Sequence, residues 1–178
     1  MSQTPRPASL FKQLELTRFE RALETADSMA MNRVLLTTVE IERLNNILCG
    51  TAEDPWRKDP VDVTLPGGRT ETLHLLKDPK ITVRESLHHA TELAENGDVI
   101  DAAVNLYVGM VLAHPFKDAN RRTGVVAAHY FLARYDVPLS GLALHELGLG
   151  DVREMAQVDV LKETLQQMAK FASKRRGR

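Results

Sequence analysis

Apolar residues recur at helical spacing along most of the chain, and the rhythm breaks once, where two short runs alternate as strands do. Leu10, Leu14, Phe19, Leu23 and Met29 come at roughly helical intervals behind Ser9, a natural N-cap, and predict a first helix. A shorter helix is expected in TTVEIERLNNILCG, capped by Thr37 or Thr38, stopped by Gly50, and turning Val39, Leu44, Ile47 and Leu48 inward. Prolines then interrupt the pattern, and VDVTL and RTETLHL alternate on either side of Pro66-Gly67-Gly68, which predicts a hairpin over about residues 61–76. An isolated hairpin is marginal in water, so this one must lean on the helices, and its polar alternation suggests an open edge.

Helical periodicity resumes in TVRESLHHATELAEN, where Thr82 and Glu85 have capping-box spacing and Gly97 is the stop. From Asp98, DVIDAAVNLYVGMVLAH is apolar on nearly all sides, the mark of a central core helix. It should end at His114, because Pro115 disfavours helical backbone in the residue before it. Past a polar stretch, TGVVAAHYFLARYDV predicts another largely buried helix, and DVREMAQVDVLKETLQQMAKFASKRR an amphipathic last one. The fold class is therefore mainly α, a helical bundle with one small β-hairpin. Without internal repeats or linkers, the chain divides into an N-terminal helical segment (1–34), a core domain (35–172) and a basic tail (173–178).

Composition narrows the function classes. An apolar fraction of 43% fits a globular protein, and a formal net charge of -1 provides no global field for nucleic acid or an anionic membrane. Nucleic acid is not an expected partner, and the tail KRRGR reads as a solvated helix end whose cations complement the helix dipole. No apolar run approaches the roughly eighteen residues of a membrane span, and MSQTPRPASLFKQ lacks a secretory signal, so a cytoplasmic location is expected. The single cysteine, Cys49, forms no internal disulfide and reads as a small buried side chain.

Candidate chemistry concentrates in HPFKDANRR, residues 114–122, between the two most apolar helices. The first N–H groups of a helix lack internal acceptors and lie at the positive end of its dipole, so the turn around Ala119, Asn120 and Arg121 is a potential phosphate site. Arg122 can add charge-assisted donors, and Asp118 is the carboxylate placed to hold magnesium, which binds through one or two protein oxygens, waters and substrate phosphates. His114, with a near-neutral ordinary pKa, can take the proton of an attacking hydroxyl.

This stretch resembles the signature of the Fic/Doc family, H-x-F-x-[DE]-[GA]-N-[GK]-R, and matches six of its seven defined positions. The resemblance implies that His114 is the general base, Phe116 a buried anchor, Asp118 the magnesium ligand, Ala119 the small turn residue, Asn120 a phosphate binder and Arg122 the β/γ-phosphate arginine. It implies ATP and Mg2+ as substrate and metal, and a target protein, modified on a Ser, Thr or Tyr hydroxyl, that docks on the hairpin as on the family's flap. The departing position is Arg121. Most members, which transfer AMP, have glycine there and a further arginine where this chain has Val125, whereas the Doc branch has lysine, lacks the last arginine and transfers the terminal phosphate. Arg121 is therefore expected to crowd the α-phosphate, and DANRRTG leans to Doc-like transfer, which would make the protein a toxin; AMP transfer is the alternative, and an inactive Fic-fold binding protein the second alternative.

Many members are inhibited by a glutamate in [ST]-x-x-x-E-[GN] that pairs with a motif arginine. TVEIER points to Glu42 and TELAEN to Glu95 as candidates for self-inhibition, with control by a separate antitoxin as the other possibility. A metal site built on His88, His89, His114 and His129 is weaker, since no pair has the i, i+4 spacing of a helical zinc site.

Overall fold

The computed structural model describes the backbone of residues 7–65, 67–147 and 151–176, with side chains from residue 12 to 175 within those ranges; the Leu10 side chain, Pro66 of the expected turn and the last two residues of the basic tail lie outside the described residues. The elements are α1 (Pro7–Met31), α2 (Thr38–Cys49), β1 (Val61–Thr64), β2 (Thr70–Leu73), α3 (Pro79–Glu95), α4 (Val99–Ala113), α5 (Asn120–Arg134), α6 (Leu142–Leu147) and α7 (Met155–Arg176). The fold is mainly α with one antiparallel hairpin, as the pattern predicts. No helix among the described residues is long and apolar enough to cross a membrane.

α4 is the central element, packed between α3 and α5, with α1 closing the other side of α5 and α7 lying against α4. Leu106, Tyr107 and Met110 are fully buried. α4 and α5 approach closely at Gly124, where a Cβ would lie 3.1 Å from Met110 Cβ and 3.3 Å from the Tyr107 carbonyl. Only the last turn of α4 emerges, at Leu112.

The caps follow local chemistry, with three differences from the sequence expectation. Thr37 caps α2, accepting from the Glu40 N–H, and Gly50 ends it in the left-handed region at φ 68°. Val39 does not point inward: the buried face runs through Ile41, Leu44, Asn45 and Leu48, and a residue two before Ile41 lies about 200° round the helix, in solvent. Ser9 lies inside α1 rather than ahead of it, and the buried face of α1 runs through Phe19, Ala22, Ala26, Met29 and Ala30, leaving Leu14 exposed. α3 starts one turn before Thr82, at Pro79, with Asp78 as the cap accepting from the Lys80 N–H at 2.8 Å; Asp-Pro combines a good cap with a residue that has no first-turn N–H to satisfy.

In the hairpin, Val61 pairs with Leu73 and Val63 with Glu71. Val61, Val63, Glu71 and Leu73 turn toward the body while Asp62, Thr64, Thr70 and Thr72 face solvent.

Candidate active site

α4 stops at His114, which adopts the left-handed region at φ 44° and donates its N–H to the Met110 carbonyl at 3.1 Å. Its ring folds back so that Nδ1 lies 2.6 Å from the Val111 carbonyl. A carbonyl only accepts, so Nδ1 carries the hydrogen and Nε2 is left as the proton acceptor. Burial is the main influence on the imidazole and holds its pKa below the ordinary histidine value; the Arg57 charge pushes the same way and the Val111 hydrogen bond opposes it. A histidine kept neutral, with its second nitrogen free, can accept a proton.

The loop from His114 to Ala119 contains a second non-glycine residue in the left-handed region, Ala119 at φ 58°. Such strain, of order 1–3 kcal/mol per residue, persists only where surroundings over-determine the conformation. Four contacts do so. Asn120 clamps Phe116 from both sides, accepting from its N–H at 2.8 Å and donating to its carbonyl at 3.0 Å. Trp56 and Phe116 form a short antiparallel bridge closed by Arg57 N–H to Pro115 O and Lys117 N–H to Pro55 O, both 2.9 Å, with their rings 4.7 Å apart. Asn45, fully buried on α2, donates to the Asp118 carbonyl at 2.9 Å and to Thr123 Oγ1 at 3.0 Å. Arg57 donates to the carbonyls of His114 (2.7 Å), Ala113 (3.2 Å), Asp59 (3.0 Å) and Leu73 (2.7 Å), which ties the end of α4 to β2.

α5 begins directly behind this loop and has no side-chain cap on its first turn. The N–H groups of Asn120, Arg121 and Arg122 therefore lack intrahelical partners, the requirement for an anion cradle. Ala119 is buried and small. Asp118 is exposed, with one carboxylate oxygen accepting from the Ala119 N–H at 2.5 Å, which leaves the other for a ligand. One free carboxylate oxygen suits magnesium, which keeps most of its shell as water and phosphate. The Asn120 side chain shapes the turn, since both its polar atoms engage Phe116, and Phe116 is the buried anchor.

The two arginines diverge. Arg121 leaves the cradle: its Nη2 donates to the His145 carbonyl of α6 at 2.9 Å, and its guanidinium lies beside the Tyr107 hydroxyl, whose pKa burial raises against the pull of that charge. The expected crowding of the α-phosphate is therefore not realised, because α6, a helix too short to read from periodicity, offers carbonyls that draw the side chain away. Arg122 instead meets Glu15 of α1, Nη1 to Oε1 at 3.1 Å.

The proposed inhibitory glutamates lie elsewhere. Glu42 accepts from Trp56 Nε1 at 2.6 Å, while Arg121 and Arg122 bond to the His145 carbonyl and to Glu15. Glu95 is exposed at the end of α3 nearest the start of α4; the 15 residues of α4 span roughly 20 Å, so it sits far from His114. His88 and His89 are exposed on α3, while His129 lies between Asp27 Oδ1 (2.8 Å) and the Gly141 N–H (2.9 Å), a satisfied buried histidine. Burial raises the Cys49 thiol pKa, with the Asp118 charge adding to it against Arg122 and Arg18, so the unreactive thiol form is favoured. Asn45, Trp56, Arg57 and Glu15 were not singled out from sequence; only Asn45, a polar residue on the apolar face of its helix, carried a local signal.

Fold and site together define a mainly α protein in which a histidine at one helix end shares a short strained loop with an uncapped helix N-terminus. The profile of the Fic/DOC family matches residues 35–132, more than half of the chain, and the protein belongs to that family. Members are generally transferases that act on proteins and use ATP. Among solved structures, the fold is similar to a Fic-domain-containing signalling protein from Bacteroides thetaiotaomicron (TM-score 0.69, 20% identity, covering 96% of this chain and 74% of that one). It is also similar to IbpAFic2 covalently tethered to Cdc42 (TM-score 0.56, 18% identity, 85% and 55%) and to Fic-1 from C. elegans (TM-score 0.57, 18% identity, 97% and 55%). The chain thus spans little more than half of the latter two. No curated protein matches it by sequence.

Proposed function

We propose that this protein transfers the terminal phosphate of ATP to a Ser, Thr or Tyr hydroxyl of a target protein. The observation that carries the reading is His114, with Nδ1 committed to Val111 and Nε2 free, on the same short loop as the uncapped start of α5. Nε2 takes the proton of the hydroxyl as its oxygen bonds to the γ-phosphorus; the bond to the bridging oxygen breaks and ADP leaves with that electron pair. The N–H groups of Asn120, Arg121 and Arg122 and the Arg122 guanidinium would hold the phosphates, and Asp118 would hold magnesium, which would supply neutralisation of phosphate charge. Val125 in place of an arginine is the feature that favours the terminal phosphate.

AMP transfer is the second reading. Arg121 supports it, because a guanidinium bonded to α6 leaves room beside the cradle for an α-phosphate. In either case the target segment docks beside the hairpin, and we assign self-inhibition to Glu15, which already engages Arg122; control by an antitoxin, with the protein as a toxin, is the alternative. Incubation of a cell lysate with ATP labelled at the α- or the γ-phosphate decides between them. Label from the γ-position alone on a protein is the expected result, α-label would mean AMP transfer, and neither would overturn the transferase reading.

A further inference from the structure

Beside the proposed catalytic base lies a groove of about 400 Å³ whose chemistry the transfer reaction does not use. Leu73 and Leu75 line it from the hairpin side, Leu76 and Pro79 from the connection to α3, and Leu112 and Pro115 from the end of α4. Ala113 and Pro115, the two chain neighbours of His114, both belong to its wall, so the groove opens within a residue of the base. Its rim carries two opposite charges, and both are already neutralised within the protein: Glu71 pairs with Arg153 and Lys77 with Glu85. What remains to meet an occupant is mainly hydrocarbon, interrupted by the His74 imidazole and the Thr72 and Thr82 hydroxyls. Leu76 is 96% exposed and Leu112 41%, so apolar surface stands open on both sides of the groove.

The hairpin adds a main-chain component. The Leu65 N–H donates to the Arg69 carbonyl at 2.8 Å, and antiparallel alternation then makes 63/71 and 61/73 the pairs that exchange hydrogen bonds. Thr70 and Thr72 therefore direct their N–H and C=O groups away from β1, toward the free edge of β2, and Thr72 also lines the groove. An edge offers the same hydrogen bonds to any extended segment, so it aligns without discriminating; a side-chain pocket beside it supplies the discrimination.

We infer that this groove selects targets by one bulky apolar side chain, Leu, Ile, Met or Phe, within a few residues of the hydroxyl, on an extended segment that pairs with the outer edge of β2. The inference rests on the transfer reading for the identity of the occupant as a target protein. The volume takes a large apolar side chain together with flanking parts of the extended segment that carries it, and the neutralised rim disfavours an acidic or basic one.

Selection of a random dodecapeptide library displayed on phage, without ATP, against the full-length protein and against Leu76→Asp, tests it. Leu76 is exposed enough that the substitution leaves the fold intact, which a matching denaturation curve verifies. Enriched peptides should share an apolar position near a Ser, Thr or Tyr, and their recovery should fall about tenfold or more on Leu76→Asp. No enrichment, enriched peptides without a common apolar position, or equal recovery by both proteins overturns the inference. Because the selection needs no chemistry, labelled ATP judges the transfer reading separately: selection without label transfer sinks that reading, and label transfer without selection sinks only the groove.

Discussion

His114 meets three demands through one backbone conformation. Its left-handed φ ends α4, its folded-back ring commits Nδ1 to Val111, and its burial favours the neutral imidazole. The sign of the pKa shift fixes two pH dependences. Since the folded value lies below the ordinary 6.5, the acid limb of the kcat/KM profile should fall below pH 6.5; a limb at or above that value would contradict the assignment. On acidification the unfolded chain protonates this histidine first, so stability should decline as pH falls through 6.5 toward the folded value, with His145, also lowered mainly by burial, acting in the same direction. Denaturant midpoints measured from pH 8 to 5 should fall less steeply in His114→Ala. At this scale the sequence made the motif legible, because its residues are neighbours in the chain. Arg121 was legible as a departure but not in its direction, which depends on a carbonyl 24 residues away.

Between elements, two polar contacts matter most, and neither could be read locally. Arg57 is buried without a carboxylate and spans four carbonyls from the hairpin to the end of α4. Burial lowers its pKa, an unfavourable setting that the fold tolerates because the fork joins the hairpin to the end of α4. Arg57→Ala should lose about 3 kcal/mol of stability by chemical denaturation and lower kcat as the loop relaxes; unchanged stability would show that the contacts are incidental. Glu15 reaches Arg122 from α1, 107 residues apart in sequence. The pair is partly exposed, so releasing it is a modest effect: Glu15→Gln should tighten magnesium-ATP binding by up to about fivefold in calorimetry, and weaker binding would mean that Glu15 supports the site rather than masking it. Of the caps set by adjacent residues, Gly50 was legible outright and Thr37 as one of two neighbouring candidates. Thr82 misled because Asp78-Pro79 is the stronger start, and Val39 because apolar residues also occur on solvent faces.

Across the molecule, the division of labour follows burial. α4 and α5, pressed together at Gly124, fix the relative positions of helix end and helix start, while α2 and the Trp56–Arg57 segment grip the loop between them and α1 holds the first turn of α5 through Glu15. The helical class and the central helix were legible because periodicity is a property of single segments; the grip on the loop was not, because apart from the Asn120–Phe116 clamp it is made of contacts between segments distant in sequence. If His114 is the base of an ATP-dependent transfer to protein, removing its imidazole must stop the transfer while leaving ATP binding and the fold in place. Label transfer from ATP into lysate protein by the unaltered chain and by His114→Ala, with ATP affinity and denaturation midpoint at neutral pH measured in parallel, tests it most directly. The expected outcome is a loss of at least about a hundredfold in labelling with affinity and midpoint retained; labelling by His114→Ala at the unaltered rate would remove His114 from the chemistry.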